Sequence, residues 1–443
     1  MYSKLEYYSI YHLMSKNMLN QKINIINRKQ LSFKMFFYCF FLIFAVFNYI
    51  NNNGIFIYLI ICFVLFICTN FDEALLLFCF TLPLSDGLTV FNSMLSYCAI
   101  MDVIFLIKLI YNHFKKCNSF NTVHISMILL LILGQFLTVI IWKNSIINVL
   151  KYSVNMLIFY YLYVDYKYIS RKNLIPNMFM FSVFSGAVIS ISMKTNIING
   201  LRFSGIWNDE NFAGMYSIIG VVSAIFFLKK NIIKRIWIAF PVILIIIFTA
   251  TLSLSRSFVY IIVILSIVSF FLLLYTKNVN VFYKVILICI FVVIFYLLFS
   301  LSLKYIINMR GLASSGSDWT NSRIEYTKNG LYSFFEEPIA WFTGVGVDNV
   351  PNFSDSHGYQ PRATHNTYVD FIVQFGIFQG ILIIIIIKKY FLRSIINKNS
   401  NSFEIWIIFV IILYMITLTL TQYEILYFSL GCFMSLYSNN KRI

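Results

Sequence analysis

Val242-Ile-Leu-Ile-Ile-Ile247 and Ile381-Leu-Ile-Ile-Ile-Ile-Ile387 are unbroken apolar runs. A half-buried strand would alternate apolar with polar residues, and a transmembrane barrel would read as alternating segments of about ten residues. Only helices and closed barrels satisfy their own backbone in lipid. Solid runs of this kind are therefore read as helices. The rest of the chain agrees. Of its 443 residues, 60% are hydrophobic and 12% charged, where a soluble domain would hold about 45–50% and about 25%. A soluble core could not cover so much apolar surface, whereas lipid can.

Several of the apolar runs approach the roughly 20 residues that cross about 30 Å of hydrocarbon. The expected fold is all-α, a polytopic integral membrane protein with about 14 transmembrane helices near residues 36–50, 54–69, 72–88, 93–112, 123–142, 145–164, 177–194, 212–228, 236–252, 257–275, 281–303, 367–387, 404–421 and 425–438. Residues 1–35 form a basic N-terminal segment in which Tyr7–Leu19 could lie at the interface. Residues 36–303 carry spans 1–11, residues 304–366 one large extracytoplasmic loop with a short helix, and residues 367–443 spans 12–14 and the C-terminus. No signal-peptide pattern stands before Phe36, so no cleavage is expected.

The net charge is +17. In a soluble protein this would point to nucleic acid. Here the basic residues cluster on one side of the alternating spans: Lys4, Lys16, Lys22, Arg28, Lys29 and Lys34, then Lys115 and Lys116, then Lys229, Lys230, Lys234 and Arg235. That is the positive-inside bias, with both termini cytoplasmic, and it also favours anionic headgroups. No nucleic-acid role is expected. Of eight cysteines, Cys39, Cys62, Cys68, Cys79, Cys98, Cys289 and Cys432 fall within spans and Cys117 on the inner side. Neither a disulfide framework nor a cysteine zinc site is expected.

The loop departs from the rest of the chain in composition, with Gly311, Ser314, Ser315, Gly316, Pro338, Pro351 and Pro361. Asn321–Phe335 reads as an amphipathic helix with Ile324, Leu331, Phe334 and Phe335 on one side. The loop's basic and acidic residues nearly balance, so binding there would rest on particular side chains. No internal repeat and no paired broken helices are evident, which argues against a carrier.

Four stretches could carry chemistry. Arg202-Phe-Ser-Gly-Ile-Trp-Asn-Asp-Glu-Asn211 precedes a span, with Asn211 as the expected cap. Ser253-Leu-Ser-Arg256-Ser puts Arg256 in a short turn at the outer surface, where it either snorkels or holds an anion bidentately. Asn321-Ser-Arg323 opens the loop helix, where an anionic group is favoured. Ala363-Thr-His365-Asn366-Thr-Tyr368-Val-Asp370 carries an imidazole, a natural base for a sugar hydroxyl. His357 is its rival, in a less well fixed stretch.

Taken in order, Arg202-x-Ser-Gly with Asn208 and Asn211, Ser-Arg256, Ser-Arg323, Pro338…Gly344-Val-Gly346, His365-Asn366-x-Tyr368 and Phe375-Gly-Ile-x-x-Gly380 resemble the O-antigen ligase and Wzy-type polysaccharide polymerase superfamily over roughly residues 200–390. The resemblance implies a metal-independent glycosyltransferase without cofactor in the bacterial plasma membrane. Its donor would be an undecaprenyl-diphosphate-linked oligosaccharide. Its other partners would be membrane lipids and, optionally, a chain-length regulator. His365 and Arg256 would be catalytic, and Arg202, Arg323, Asn366 and Tyr368 would bind substrate. The start of the His365 motif and the modest loop look more like a polymerase of O-antigen or capsule. Ligation to lipid A core, flipping of a lipid-linked oligosaccharide, and a scaffold without activity are the competing readings.

Overall fold

The computed structural model describes residues 34–47, 55–85, 89–90, 95–115, 122–192, 203, 205–207, 209–229, 232–253, 255–275, 319–396 and 402–437. Arg202, Asn208, the N-terminal segment and the expected span 281–303 lie outside them. Contacts divide the chain into two units, Met1–Glu73 and Ala74–Ile443. The first holds α1 (Lys34–Phe47), α2 (Ile55–Cys68) and the opening turn of α3 (Phe71–Ser85). That turn is built by a reciprocal cap: Glu73 N–H donates to Asn70 Oδ1 (2.9 Å), and Asn70 N–H donates to Glu73 Oε2 (3.2 Å). Lys34 Nζ lies 3.0 Å from the same carboxylate.

The second unit is a helical bundle. Beyond a two-residue antiparallel pairing of Thr89–Val90 with Leu95–Ser96, it contains α4 (Tyr97–Lys115), α5 (Thr122–Trp142), α6 (Ile146–Asp165), α7 (Ile175–Ser192), α8 (Glu210–Leu228), α9 (Ile232–Leu252) and α10 (Arg256–Tyr275). Then follow α11 (Trp319–Glu336), α12 (Pro338–Thr343), α13 (Val350–Ser356), α14 (Thr367–Phe375), α15 (Ile377–Ile396), α16 (Phe403–Tyr414) and α17 (Glu424–Tyr437). One group packs α6 against α4, α5 and α17; another packs α8 against α7, α9 and α16.

Among the described residues, four stretches are long and apolar enough to cross a membrane: His124–Trp142, Lys172–Ser192, Glu210–Leu228 and Arg235–Leu252. Their outward residues include Ile140 (78% exposed) and Trp237 (84% exposed). A water-soluble surface rarely carries such a belt, and the chain is a membrane protein with transmembrane helices. Among the described residues, helices occupy the places of all the expected spans except 281–303, but two are interrupted.

The first interruption replaces the single span expected at 367–387. α14 stops at Phe375, and Gly376 turns the chain with φ +84°. The freed carbonyls at the end of α14 are taken up by the loop: Val345 N–H donates to Val373 O (2.9 Å) and Gly346 N–H to Gln374 O (3.1 Å). Gln135 of α5 clamps the seam, donating from Nε2 to Gln374 O (3.3 Å) and accepting from Val347 N–H at Oε1 (2.9 Å). Trp142 Nε1 donates to Gly344 O (2.8 Å). The approach is so close that a Cβ on Gly344 would lie 2.1 Å from Gln374 O.

The second interruption ends the expected span 404–421 early, at Tyr414. Thr367 ties down the irregular stretch that follows. Its N–H donates to Met415 O (2.8 Å) and Leu418 O (3.1 Å), and its Oγ1 accepts from Leu420 N–H (2.9 Å). The continuous spans expected at 367–387 and 404–421 are therefore corrected: the first is broken at Gly376 and the second ends at Tyr414.

The described part of the loop, 319–366, has no helix apolar enough to span, and it has its own small core. Phe334, Ala340, Val345, Val350 and Phe353 bury themselves with Val373 of α14. The expected apolar face of the loop helix is corrected in part: Phe334 is fully buried, but Ile324 and Phe335 are exposed. The inward face instead runs through Arg323, Tyr326 and Thr327, at helical spacing.

Phe334→Ala should cost about 3–5 kcal/mol of loop docking, the usual price of truncating a buried Phe. Hydrogen exchange should then quicken across 319–366 while α8 and α9 keep their protection. Gly344→Ala should do the same through its clash with Gln374 O. Unchanged exchange in both variants would show that the seam does not hold the loop.

Candidate functional site

His365 sits where the loop meets α14. Its φ of +55° is left-handed, a conformation that costs a side-chain-bearing residue about 1–2 kcal/mol. The residues on either side hold it there. Thr364 Oγ1 donates to the buried Asp370 carboxylate (2.7 Å), while the Thr364 carbonyl accepts from Thr327 Oγ1 of α11 (2.9 Å). Asn366 caps α14, its Oδ1 accepting from Tyr368 N–H (3.1 Å) and Val369 N–H (3.3 Å). Thr367 anchors the next residue to the stretch after α16. A strained histidine fixed on both sides is a common feature of functional sites.

Several charged and aromatic groups surround the imidazole. The Tyr326 ring lies 6.3 Å from it, centroid to centroid. Burial pushes the His365 pKa down, and the cations Arg323 and Arg362 push it further, while Asp209 opposes them. The neutral base is therefore the favoured form. Arg323 shares its helix face with Tyr326 and donates from Nη1 to Thr417 O (3.2 Å) in the irregular stretch after α16.

Asp209 was not singled out by the sequence reading, which chose Asn211 as the cap of α8. The structure corrects this. Asp209 is the cap, with Oδ1 accepting from Asn211 N–H (2.6 Å) and Phe212 N–H (3.3 Å). That frees the Asn211 side chain to accept from Ser255 Oγ at 3.2 Å. Ser255 directly precedes Arg256, the half-buried first residue of α10. Through these links the N-termini of α8 and α10 are joined, and the cap of α8 acts on the imidazole at the start of α14. The positive ends of three helix dipoles thus share one end of the bundle.

Other expected residues fall differently. The Tyr368 hydroxyl donates to Ile412 O (3.1 Å) and so ties α14 to α16. His357 is engaged within the loop, with Nδ1 on Phe353 O (2.8 Å) and Nε2 3.4 Å from Glu337 Oε1. The chain just after Arg202 is anchored at Trp207, whose Nε1 donates to Pro83 O (2.7 Å).

A second polar cluster was missed altogether. Asp348, also left-handed (φ +58°), accepts from Asn148 Nδ2 (3.4 Å), and burial raises its pKa against the pull of Gln422 and Lys151. Lys151 Nζ pairs with the buried Glu424 at 3.1 Å. Tyr423 lies between this cluster and the first turn of α8, its ring 4.2 Å from that of Phe212. The only hint in the sequence was a lysine and a glutamate inside apolar helices.

The site so defined belongs to a polytopic helical membrane protein with a basic and imidazole cluster at one end of its bundle. A family model described as O-antigen ligase matches residues 241–385. The resemblance expected from the motif order is borne out over that segment, which holds Arg256, Arg323, His365, Asn366 and Tyr368 but not Arg202. Over that segment the chain is similar to an O-antigen ligase- or polymerase-like membrane enzyme. No curated protein matches the chain.

The electrostatics around His365 give a direct expectation. With imidazole-labelled protein, its NMR titration midpoint should lie below the ~6.5 of a free histidine. Arg362→Gln should raise it only slightly, because Arg362 is exposed and its field is screened. Asp209→Asn, which keeps a capping side chain, should lower it. Opposite signs would mean that these charges do not face the ring.

Proposed function

We propose that the chain is a polysaccharide polymerase of the bacterial plasma membrane, with its termini in the cytoplasm and the His365 end outside. It transfers a glycan from an undecaprenyl-diphosphate carrier to the acceptor sugar of a lipid-linked repeat unit. The observation that carries this is the pairing of a base kept neutral by burial and cations, His365, with Arg323 beside it and the Arg256 turn joined to the same helix ends.

The acceptor hydroxyl oxygen attacks the anomeric carbon, and the bond from that carbon to the diphosphate breaks. The hydroxyl proton passes to His365, and the bonding pair leaves with the diphosphate. Arg256 and Arg202 hold that diphosphate and stabilise its growing charge, as planar guanidinium groups suit phosphate oxygens. Arg323 binds the same anion from the loop. Asn366 and Tyr368 hold α14, and with it His365, in place for substrate. The step as written needs neither metal nor cofactor.

Ligation to lipid A core is the second reading, favoured by the description of the matching family as O-antigen ligase. It uses the same residues with a different acceptor.

His365→Asn tolerates the left-handed backbone but supplies no comparable base, so transfer should fall by about 10²–10⁴-fold. Arg256→Ala should cost about 10²–10³-fold. Both variants should still insert. The assay uses membranes supplied with lipid-linked repeat units, with and without lipid A core. Elongation on the carrier alone supports the polymerase, and transfer only when core is added supports the ligase. Normal long chains from both variants would end the assignment of these residues.

A further inference from the structure

A cavity of about 470 Å³ lies between α5, α6, α15 and α17, with Phe371 and Phe375 of α14 in its wall. Ligand pockets fall in the ~300–1,000 Å³ range. This one is largely apolar, walled by side chains such as Met127, Met156, Ile383 and Leu430. Along α15 its lining runs from Gln379 to Tyr390, a rise of about 17 Å at ~1.5 Å per residue. A sugar would leave its hydroxyls unpaired against such walls, whereas a hydrocarbon chain fits them.

The two ends differ. One lies against the helix that carries the His365 turn. The other is lined by His124, Lys389, Tyr163 and Tyr390, with the two tyrosine hydroxyls 3.5 Å apart. α6 meets the loop at Asn148, 3.4 Å from Asp348 Oδ2, and this rim at Tyr163, so the rim lies at the other end of α6 from the loop, toward the opposite membrane face. Lys388 and Arg393 flank it on the same helix, and among the described residues no carboxylate lines the cavity. A cationic rim over a single apolar slot has the charge pattern of a lipid with an anionic headgroup.

We propose that this cavity binds one anionic phospholipid from the leaflet opposite the His365 site, with its headgroup at Lys389 and His124 and one acyl chain reaching Phe371 and Phe375. The chain end would support α14 from behind and so steady the turn that carries His365. This site does not depend on the transfer reaction proposed above.

The test uses the full chain, delipidated in a non-ionic detergent. It is titrated with palmitoyl-oleoyl phosphatidylglycerol or the matching phosphatidylcholine and read by native mass spectrometry. One phosphatidylglycerol should be retained in preference to phosphatidylcholine. Lys389→Glu should weaken that preference by roughly fivefold, as expected for one basic residue near an anionic headgroup. Leu430→Trp should fill the slot and abolish retention. If that variant unfolds, Met127→Trp fills the mouth from the lipid side. Equal retention of both lipids, indifferent to the variants, would mean annular lipid only and overturn the proposal. Displacement of phosphatidylglycerol by undecaprenyl phosphate would overturn it too, and would assign the slot to a carrier tail.

Discussion

When a helix stops inside a membrane protein, its last carbonyls have no intrahelical partner, and lipid offers none. At Phe375 that need is met by a turn-rich piece of the loop, Gly344–Val347, laid against the end of α14. The arrangement depends on two glycines facing each other without Cβ atoms and on Gln135 bridging both backbones. Because the loop must lie there, α11 lies over the start of α14, and Arg323 and Tyr326 reach His365. The same seam carries Asp348 to α6. A local backbone requirement thus determines where a segment far away in sequence is held.

The second interruption works in the same direction. The stretch after α16 could not be left open in a low-dielectric interior, and Thr367, Arg323 and Asn155 supply its partners. Two broken helices and one docked loop therefore meet around His365. Broken helices with exposed backbone groups also occur in carriers. Here the freed groups of α14 are occupied by the loop, so they do not line an ion path at that point.

Much of the fold was legible because apolar length is a strong signal. The span expected at 145–164 is α6 at Ile146–Asp165, and that at 212–228 is α8 at Glu210–Leu228. The breaks were not read, although hints existed. Gly376 stands just before the Ile381–Ile387 run, and Thr417-Leu-Thr-Leu-Thr421 alternates as an extended chain would. Both were hidden by apolar neighbours that keep a window's mean hydropathy high. At the site, His365 and Arg323 were legible from residue type and order. Asp209, Tyr326 and Asp348 were not, because their meaning comes from contacts across long sequence separations. The cap of α8 illustrates the limit: Asp209 and Asn211 are both good caps, and the choice between them is decided by Ser255, far along the chain.

The central claim is that an anionic diphosphate is held beside the His365 imidazole. The most direct measurement is the protonation midpoint of His365, by imidazole NMR, with and without undecaprenyl diphosphate bound to the full chain. A nearby anion favours the charged ring, so binding should move the midpoint upward, against the lowering by Arg323 and Arg362 in the free protein. If undecaprenyl diphosphate binds and the midpoint stays where it was, the diphosphate lies elsewhere and the account fails.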